Sequence, residues 1–160
     1  MMRKKGLFLC LVSGLLSMLG CVPKKMPEEE LVRVELTHSG MRSGYEFEGR
    51  AKQDSKGSFM LRTMKESYGP MFEKKLDARE MQEFRQIIQE EMMYKYKEVY
   101  TPKIRVLDGW MWSFFAAFTD GSVISSHGSN AGPKDDGLKR IRSYMQKLIQ
   151  DGVQIENEEE

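Results

Sequence analysis

The residues best suited to chemistry in this sequence lie close together between Ser125 and Asn130. His127 stands among Ser125, Ser126 and Ser129, and a histidine beside a serine can act as the general base that activates a hydroxyl nucleophile. The sequence has no G-x-S-x-G motif, however, and serines near a histidine on one strand are a weak signal. We therefore predict no catalytic residue. A hydrolase that uses His127 with a nearby serine or aspartate is the alternative.

Metal ligands and cofactor motifs are sparse. His38 and His127 are the only histidines and lie far apart, and the two cysteines, Cys10 and Cys21, lie near the N-terminus. Zinc sites need such ligands in groups. The Gly128–Pro133 segment leads into a predicted helix whose first N–H groups could hold an anion, but it lacks the Gly-Lys-Ser/Thr half of a phosphate-binding loop. We predict no metal and no cofactor, and we interpret the segment as a glycine-rich connection.

A binding role is the main interpretation of the same region. His127, Ser129 and Asn130 are polar, lie beside glycines and follow a strongly apolar strand, and rigid strands often carry binding loops in this way. We predict that these three residues contact a ligand or partner. Replacing His127 or Asn130 by alanine should then change stability by no more than about 1 kcal/mol, as surface substitutions usually do.

Tyr94–Arg105 is the second candidate region. Its tyrosines alternate with lysines, so it could contact sugars or an acidic partner by stacking and charge. The simpler interpretation is a solvated sheet edge, a frayed helix end or a loop, and its lysines and proline are typical of an edge strand.

The predicted hairpin that carries His127 begins with an aromatic strand from Trp110 to Thr119. Asp120-Gly121 favours a two-residue turn, after which a shorter strand returns from Ser122 to His127. That turn places Phe118 opposite Val123 and Phe114 opposite His127. The prediction therefore puts His127 at the polar end of the face that carries Trp112, with Trp112 and Phe118 in the core.

The remaining elements follow from hydrophobic periodicity. Residues 31–38 and 45–53 alternate as strands, and residues 58–66 and 71–76, set between turns, are predicted as two further strands of the same meander. Residues 78–93 and 134–150 have apolar residues at helical spacing. Asp77 and Glu80 form a capping box at the first helix, and Pro133 suits the first turn of the second. We predict an α+β fold: an antiparallel β-sheet of about six strands, an N-terminal meander plus a C-terminal hairpin, with two amphipathic helices packed on one face.

The N-terminus has the pattern of an export signal. Arg3, Lys4 and Lys5 precede an apolar run from Leu7 to Leu19, and Met18-Leu19-Gly20-Cys21 resembles the lipobox of bacterial lipoproteins, which implies lipidation (as by palmitate) at Cys21. An uncleaved signal anchor is the alternative. Cleavage leaves 25 − 3 = 22 basic against 24 acidic side chains, a balance without the basic excess of a nucleic-acid-binding protein.

These observations predict four segments: a lipoprotein signal peptide (residues 1–20), a flexible tether (21–30), one α+β domain (31–150) and an acidic disordered tail (151–160). The C-terminal half also carries Asp108-Gly109, Trp112, Phe118, Asp120-Gly121 and then GSNAGP from residue 128. In this it resembles small, uncharacterised lipoproteins of Bacteroides-type bacteria with the pattern DGxxWxLxIxFxDG…GSNAxP. The resemblance brings no known activity.

Together they predict a lipid-anchored cell-envelope protein, more a binding or accessory domain than an enzyme. Its partners would be the membrane, through a lipid on Cys21, and a protein or glycan, with no nucleic acid. We expect the outer membrane rather than the inner, and the sequence leaves open the periplasmic or surface side. The alternative is an envelope hydrolase that uses His127.

Overall fold

The alternating segments of the sequence form strands, as their period of two requires. The computed structural model describes residues 24–40, 44–104 and 109–156. The strands are β1 (Leu31–Gly40), β2 (Gly44–Gln53), β3 (Phe59–Met64), β4 (Met71–Leu76), β5 (Val99–Tyr100), β6 (Trp110–Phe118), β7 (Val123–Ser129) and β8 (Val153–Gln154). They form one sheet in the order β5-β7-β6-β1-β2-β3-β4-β8, antiparallel except for the β5–β7 pair. The α+β class is thus confirmed, with eight strands instead of about six.

One face of the sheet is buried, and its side chains come from alternate positions of the central strands. They include Val34 and Leu36 of β1, Phe47 and Ala51 of β2, Leu61 and Thr63 of β3, Trp112, Phe114, Ala116 and Phe118 of β6, and Ile124 and Ser126 of β7. The predicted core positions of Trp112 and Phe118 are confirmed. The guanidinium of Arg142, on the second helix, lies 4.8 Å from the centroid of the Phe47 ring.

The opposite face of β1, β2, β3 and β4 is a network of partly exposed ion pairs. Glu35 accepts from Arg33 at 2.8 Å and from Arg50 at 2.7 Å, and Arg62 pairs with Glu73 at 2.6 Å. Exposed pairs of this kind contribute only about 0–1 kcal/mol each. They keep this part of the sheet face polar, in contrast to the part formed by β6 and β7.

Both helices are shorter than predicted. Helix α1 (Ala78–Glu90) has the predicted capping box, in which the Asp77 side chain accepts from the Glu80 N–H at 2.7 Å. It ends before residue 93 because Met92 adopts a left-handed conformation with φ of 50°. Met92, which the predicted helix 78–93 included, is therefore exposed, whereas Met93 is buried in a short 3₁₀ helix.

Helix α2 (Gly137–Leu148) starts three residues later than predicted, so Pro133 does not lie in its first turn. The Asp135 side chain accepts from the Gly137 N–H at 3.0 Å. The helix start is thus occupied by the chain's own carboxylate, which favours the interpretation of Gly128–Pro133 as a connection over an anion site. A 3₁₀ turn (Ile149–Asp151) follows the helix, and Gly152 ends it.

The predicted hairpin register is wrong by one residue. The Phe118 N–H donates to the Ser122 carbonyl and the Gly121 N–H donates to the Phe118 carbonyl, so Thr119, Asp120 and Gly121 form a three-residue loop. Gly121 has a φ of 83°, as the third residue of such a loop requires. A one-residue shift moves every side chain of the returning strand to the other face, so Val123 and His127 lie on the exposed face.

Two short strands complete the edges of the sheet. Within Tyr94–Arg105, Val99 and Tyr100 form β5 beside β7, which agrees with the edge-strand interpretation. At the other edge, Val153 and Gln154 pair with β4, and the Ile155 N–H donates to the Met71 carbonyl. Part of the predicted disordered tail is therefore held against the sheet, and residues 157–160 lie outside the described residues.

The segment from residue 24 to residue 30 packs against the domain, although we predicted it as part of a flexible tether. The Arg85 guanidinium donates to the Pro27 carbonyl at 2.7 Å and to the Glu28 carbonyl at 3.2 Å, while the Met26 side chain packs against the core. The Thr119 N–H donates to the Glu30 carbonyl. Cys21 and the signal segment lie outside the described residues. No helix among residues 24–40, 44–104 and 109–156 has the length and apolarity to cross a membrane.

Candidate functional site

His127 lies on the exposed face of β7, between two neighbouring strands. It pairs with Ser113 of β6 on one side and with Val99 of β5 on the other, and its N–H donates to the Glu98 carbonyl at 2.9 Å. Its side chain is exposed to solvent. This placement differs from the predicted aromatic face, and it leaves the imidazole free to meet a partner.

The outward side chains of β6 and β7 form a surface that we call the hairpin patch. Its members face each other in four pairs: Met111 with Ser129, Ser113 with His127, Phe115 with Ser125, and Ala117 with Val123. The exposed fractions of Met111 and Val123 are 43% and 56%. The Arg33 guanidinium lies 5.1 Å from the centroid of the Phe115 ring and borders the patch. The patch itself carries no acidic or basic side chain other than His127.

Sequence reasoning identified His127 and Ser129 but not the apolar half of the hairpin patch. The two-residue turn placed Val123 in the core, away from Met111 and Phe115. A signal was present in the sequence, because an Asp-Gly pair also fits a three-residue loop with glycine last. That alternative loop places Val123, His127 and Met111 on one face.

Asn130, the third predicted site residue, has a structural role. Its N–H donates to the Trp110 carbonyl at 2.9 Å, and its Oδ1 accepts from the Trp110 N–H at 3.0 Å. Its φ of 51° lies in the left-handed region, which asparagine tolerates better than most residues. Asn130 thus keeps a contact with Ser129, whose hydroxyl accepts from the Asn130 side-chain amide at 3.4 Å, but its main hydrogen bonds are structural, and the surface-change estimate of about 1 kcal/mol does not suit it.

The GSNAGP loop closes over Trp112. The indole N–H of Trp112 donates to the Ala131 carbonyl at 2.8 Å. A Cβ atom on Gly128 would stand 2.5 Å from the indole nitrogen and closer still to the Ala131 oxygen, so only glycine fits there. We call this arrangement of Gly128, Ala131 and Trp112 the tryptophan clasp. The GSNAGP loop, the most motif-like stretch of the chain, therefore has a structural role: it holds β7 against the core.

A shallow groove lies on the other side of the same loop. It has a volume of about 570 Å³ and lies between the Met92–Thr101 region and the Ala131–Asp135 loop. The Tyr96 hydroxyl donates a short hydrogen bond to the Asp135 carboxylate. Burial raises the pKa of the Tyr96 phenol and the hydrogen bond to Asp135 raises it further, so Tyr96 stays a protonated donor at neutral pH. This pair joins the Tyr96 segment to the start of α2.

The described residues do not assemble a catalytic group around His127. Within the described part of the chain, its imidazole has no hydrogen bond to a serine or to a carboxylate. The nearby Ser126 is buried, and its hydroxyl donates to the Lys97 carbonyl at 2.6 Å. His127 does not line the groove beside the Ala131–Asp135 loop. Nor do the described ranges contain a group of three or more His, Cys, Asp or Glu side chains that could hold a metal ion.

The hairpin patch thus combines four apolar side chains with three serines and one imidazole on the outward face of β6 and β7. No known family model and no curated protein sequence matches the chain. The features that bear on function are therefore the hairpin patch, the edges of the sheet and the residues before β1.

Proposed function

We propose that this protein is a lipid-anchored cell-envelope protein that binds a partner through the hairpin patch. The lipid would be carried by Cys21, and the domain would act as a binding or accessory module without catalysis. We place it at the outer membrane and leave its side open. The observation that supports binding best is the exposure of Met111 at the open end of the hairpin and of Val123 at its turn end, both on the outward face of the sheet.

An exposed apolar sheet face needs an explanation, because the free face of an antiparallel sheet is normally polar. Here the face follows that rule over β1 to β4, where ion pairs cover it, and departs from it at β6 and β7. We infer that both helices pack on the buried face, since α1 contacts β1 and α2 contacts β1 and β3 while the outward residues stay exposed. Grouped exposed apolar side chains on a soluble domain mark interaction surfaces.

The composition of the hairpin patch favours a protein partner over a glycan. Methionine and aromatic residues are enriched in the buried centres of protein interfaces, which are depleted in charged residues. The patch combines Met111, Phe115 and Val123 with three serines and a histidine, and charged side chains such as Arg33 lie only at its border. The apolar side chains suit the centre of a protein interface, and the hydroxyl and imidazole groups can form hydrogen bonds that orient the partner.

The anchor predicts a covalent lipid on Cys21. Metabolic labelling with a fatty-acid analogue should mark the wild-type protein and leave Cys21→Ser unlabelled, because the lipid is attached through that thiol. Equal labelling of the two proteins would contradict the anchor.

If the hairpin patch binds the partner, a single charged side chain introduced into it should abolish binding. Val123→Lys should disrupt the complex that the wild-type protein forms in its native envelope, as seen by native electrophoresis after mild detergent extraction. Val153→Lys is the matched control. Val153 is likewise an exposed valine on a strand, with 72% of its surface exposed, but it lies on β8 at the opposite edge of the sheet. Both variants should keep the wild-type melting temperature within a few degrees. A complex that survives Val123→Lys, or is lost equally in both variants, would refute the assignment.

A further inference from the structure

The segment before β1 is fixed to the domain at a defined point. The Lys24 ammonium donates to the Tyr96 carbonyl at 2.6 Å, three residues before β5. The contacts of Arg85 with the Pro27 and Glu28 carbonyls hold the following residues against α1. The chain therefore leaves the domain beside the Tyr96–Val99 segment.

A lipid on Cys21 would leave the domain very little freedom to turn. Three peptide steps separate Cys21 from Lys24, and they can span at most about 11 Å in any conformation. The eight strands have seven spacings between them, so the sheet measures about 33 Å from β5 to β8. The anchor is much shorter than this width, and it can bring only the β5 side of the domain to the bilayer.

The β5 side has the chemistry of a surface that contacts lipid headgroups. Its exposed cations are Lys24, Lys25, Lys95, Lys97 and Lys103. Between them stand exposed apolar side chains: Val99, with 48% of its surface exposed, Ile104 and Met92. Basic side chains interleaved with apolar ones suit the boundary between headgroups and acyl chains in an anionic leaflet.

The acidic residues nearby reduce this positive charge but do not cancel it. Arg140 pairs with both Glu90 and Glu91, at 2.8 and 2.6 Å, so one of these two negative charges is compensated, and Asp135 keeps its charge while it accepts the Tyr96 hydroxyl. Glu98 is the exposed acidic residue within the β5 side itself. The lysines thus outnumber the free carboxylates and leave a net positive surface.

We propose that the β5 side of the domain lies against an anionic lipid surface and that the sheet stands on this edge, with β8 pointing away from the bilayer. The inference rests on the proposed lipid at Cys21 and adds the orientation and the lipid charge. In this orientation the hairpin patch faces sideways along the membrane. A partner in the same membrane could then reach Met111 and Val123.

The orientation can be tested with two matched labels on the lipidated full chain. Val99→Cys and Val153→Cys place a thiol on two-residue strands at opposite edges, and Cys21 would be blocked by its lipid. Each variant is labelled with a fluorophore and reconstituted in phosphatidylcholine–phosphatidylglycerol vesicles that contain a headgroup nitroxide lipid. The Val99→Cys label should lose most of its emission, and the Val153→Cys label should keep it. Equal quenching of the two would overturn the orientation.

The role of the lysines is tested by charge reversal in the same vesicles. Lys95→Glu with Lys97→Glu should weaken the quenching of the Val99→Cys label without abolishing it, because the lipid still holds the β5 side near the bilayer, whereas Lys52→Glu with Lys75→Glu, far from β5, should leave the quenching unchanged. The same partial loss of quenching is expected in 1 M salt, where the Debye length falls to about 3 Å. Quenching that withstands both treatments would overturn the anionic-lipid part of the inference. Failure of the wild-type protein to float with vesicles would instead refute the anchor on Cys21, and the orientation with it.

Discussion

Trp112→Ala should lower the free energy of unfolding by about 3–5 kcal/mol, the range measured when a buried aromatic residue is truncated. Trp112 is buried in the core, and its indole N–H is the hydrogen-bond donor to the Ala131 carbonyl. Its ring also packs against Tyr100 of β5, with ring centroids 5.6 Å apart. The variant therefore loses apolar burial, the bond that holds the GSNAGP loop and a contact to the edge strand.

Chemical denaturation measures this loss, and the second tryptophan provides the control. Trp110 lies two residues earlier on the same strand but is exposed, and its ring stacks on His38 at the surface. Trp110→Ala should cost clearly less than Trp112→Ala. Equal losses in the two variants would mean that the tryptophan clasp contributes nothing beyond an ordinary surface contact.

Gly128→Ala should lower the free energy of unfolding by about 3 kcal/mol, at the upper end of what overpacking usually costs. The new methyl group would meet the Ala131 carbonyl oxygen and the indole nitrogen of Trp112. Neither can move away while the hydrogen bond between them is kept. We expect thermal and chemical denaturation to show the loss without a change in the slope of the denaturant dependence.

Gly132→Ala is the control for this substitution because it lies in the same GSNAGP loop. A Cβ atom on Gly132 would stand 3.3 Å from the same indole nitrogen, a distance that a small shift relieves. We expect a change within about 1 kcal/mol, as for most surface positions. If Gly132→Ala destabilised the domain as much as Gly128→Ala, the loop would be sensitive for a reason other than the clasp.

Local patterns predicted the elements of the fold well, because each pattern has one dominant structural solution. The alternation in residues 31–38 and 45–53 correctly predicted strands, and Asp77 with Glu80 correctly predicted a helix start. The helix end at Met92 was missed because a left-handed residue leaves no trace in an apolar stripe. The strands β5 and β8 were not predicted as such because two residues cannot show a period.

The candidate site depended on a choice that the sequence leaves open. Asp120-Gly121 fits both a two-residue and a three-residue loop, and these two loops place His127 on opposite faces of the sheet. The sequence therefore identified His127 and Ser129 as candidates but not the apolar residues around them. Asn130 was included because it is polar and follows a strand, and its hydrogen bonds to Trp110 become visible only in three dimensions.

If the hairpin patch is the partner-binding surface, the structural role and the binding role belong to different residues of the region around GSNAGP. The loop residues Gly128, Asn130 and Ala131 maintain the structure, and the outward residues of β6 and β7 are available for contact. Substitutions in the loop should therefore change stability first. Substitutions at Met111, Val123 or His127 should change binding with the fold intact.

Site-specific photo-crosslinking in intact cells tests this assignment most directly. A photoreactive amino acid is placed at Val123, within the hairpin patch, or at Gln82, which is exposed on α1. If the patch binds a partner, irradiation should convert the Val123 variant to one discrete, larger adduct and leave the Gln82 variant unchanged. The same adduct from both positions, or none from Val123 while the complex persists on native gels, would contradict the account.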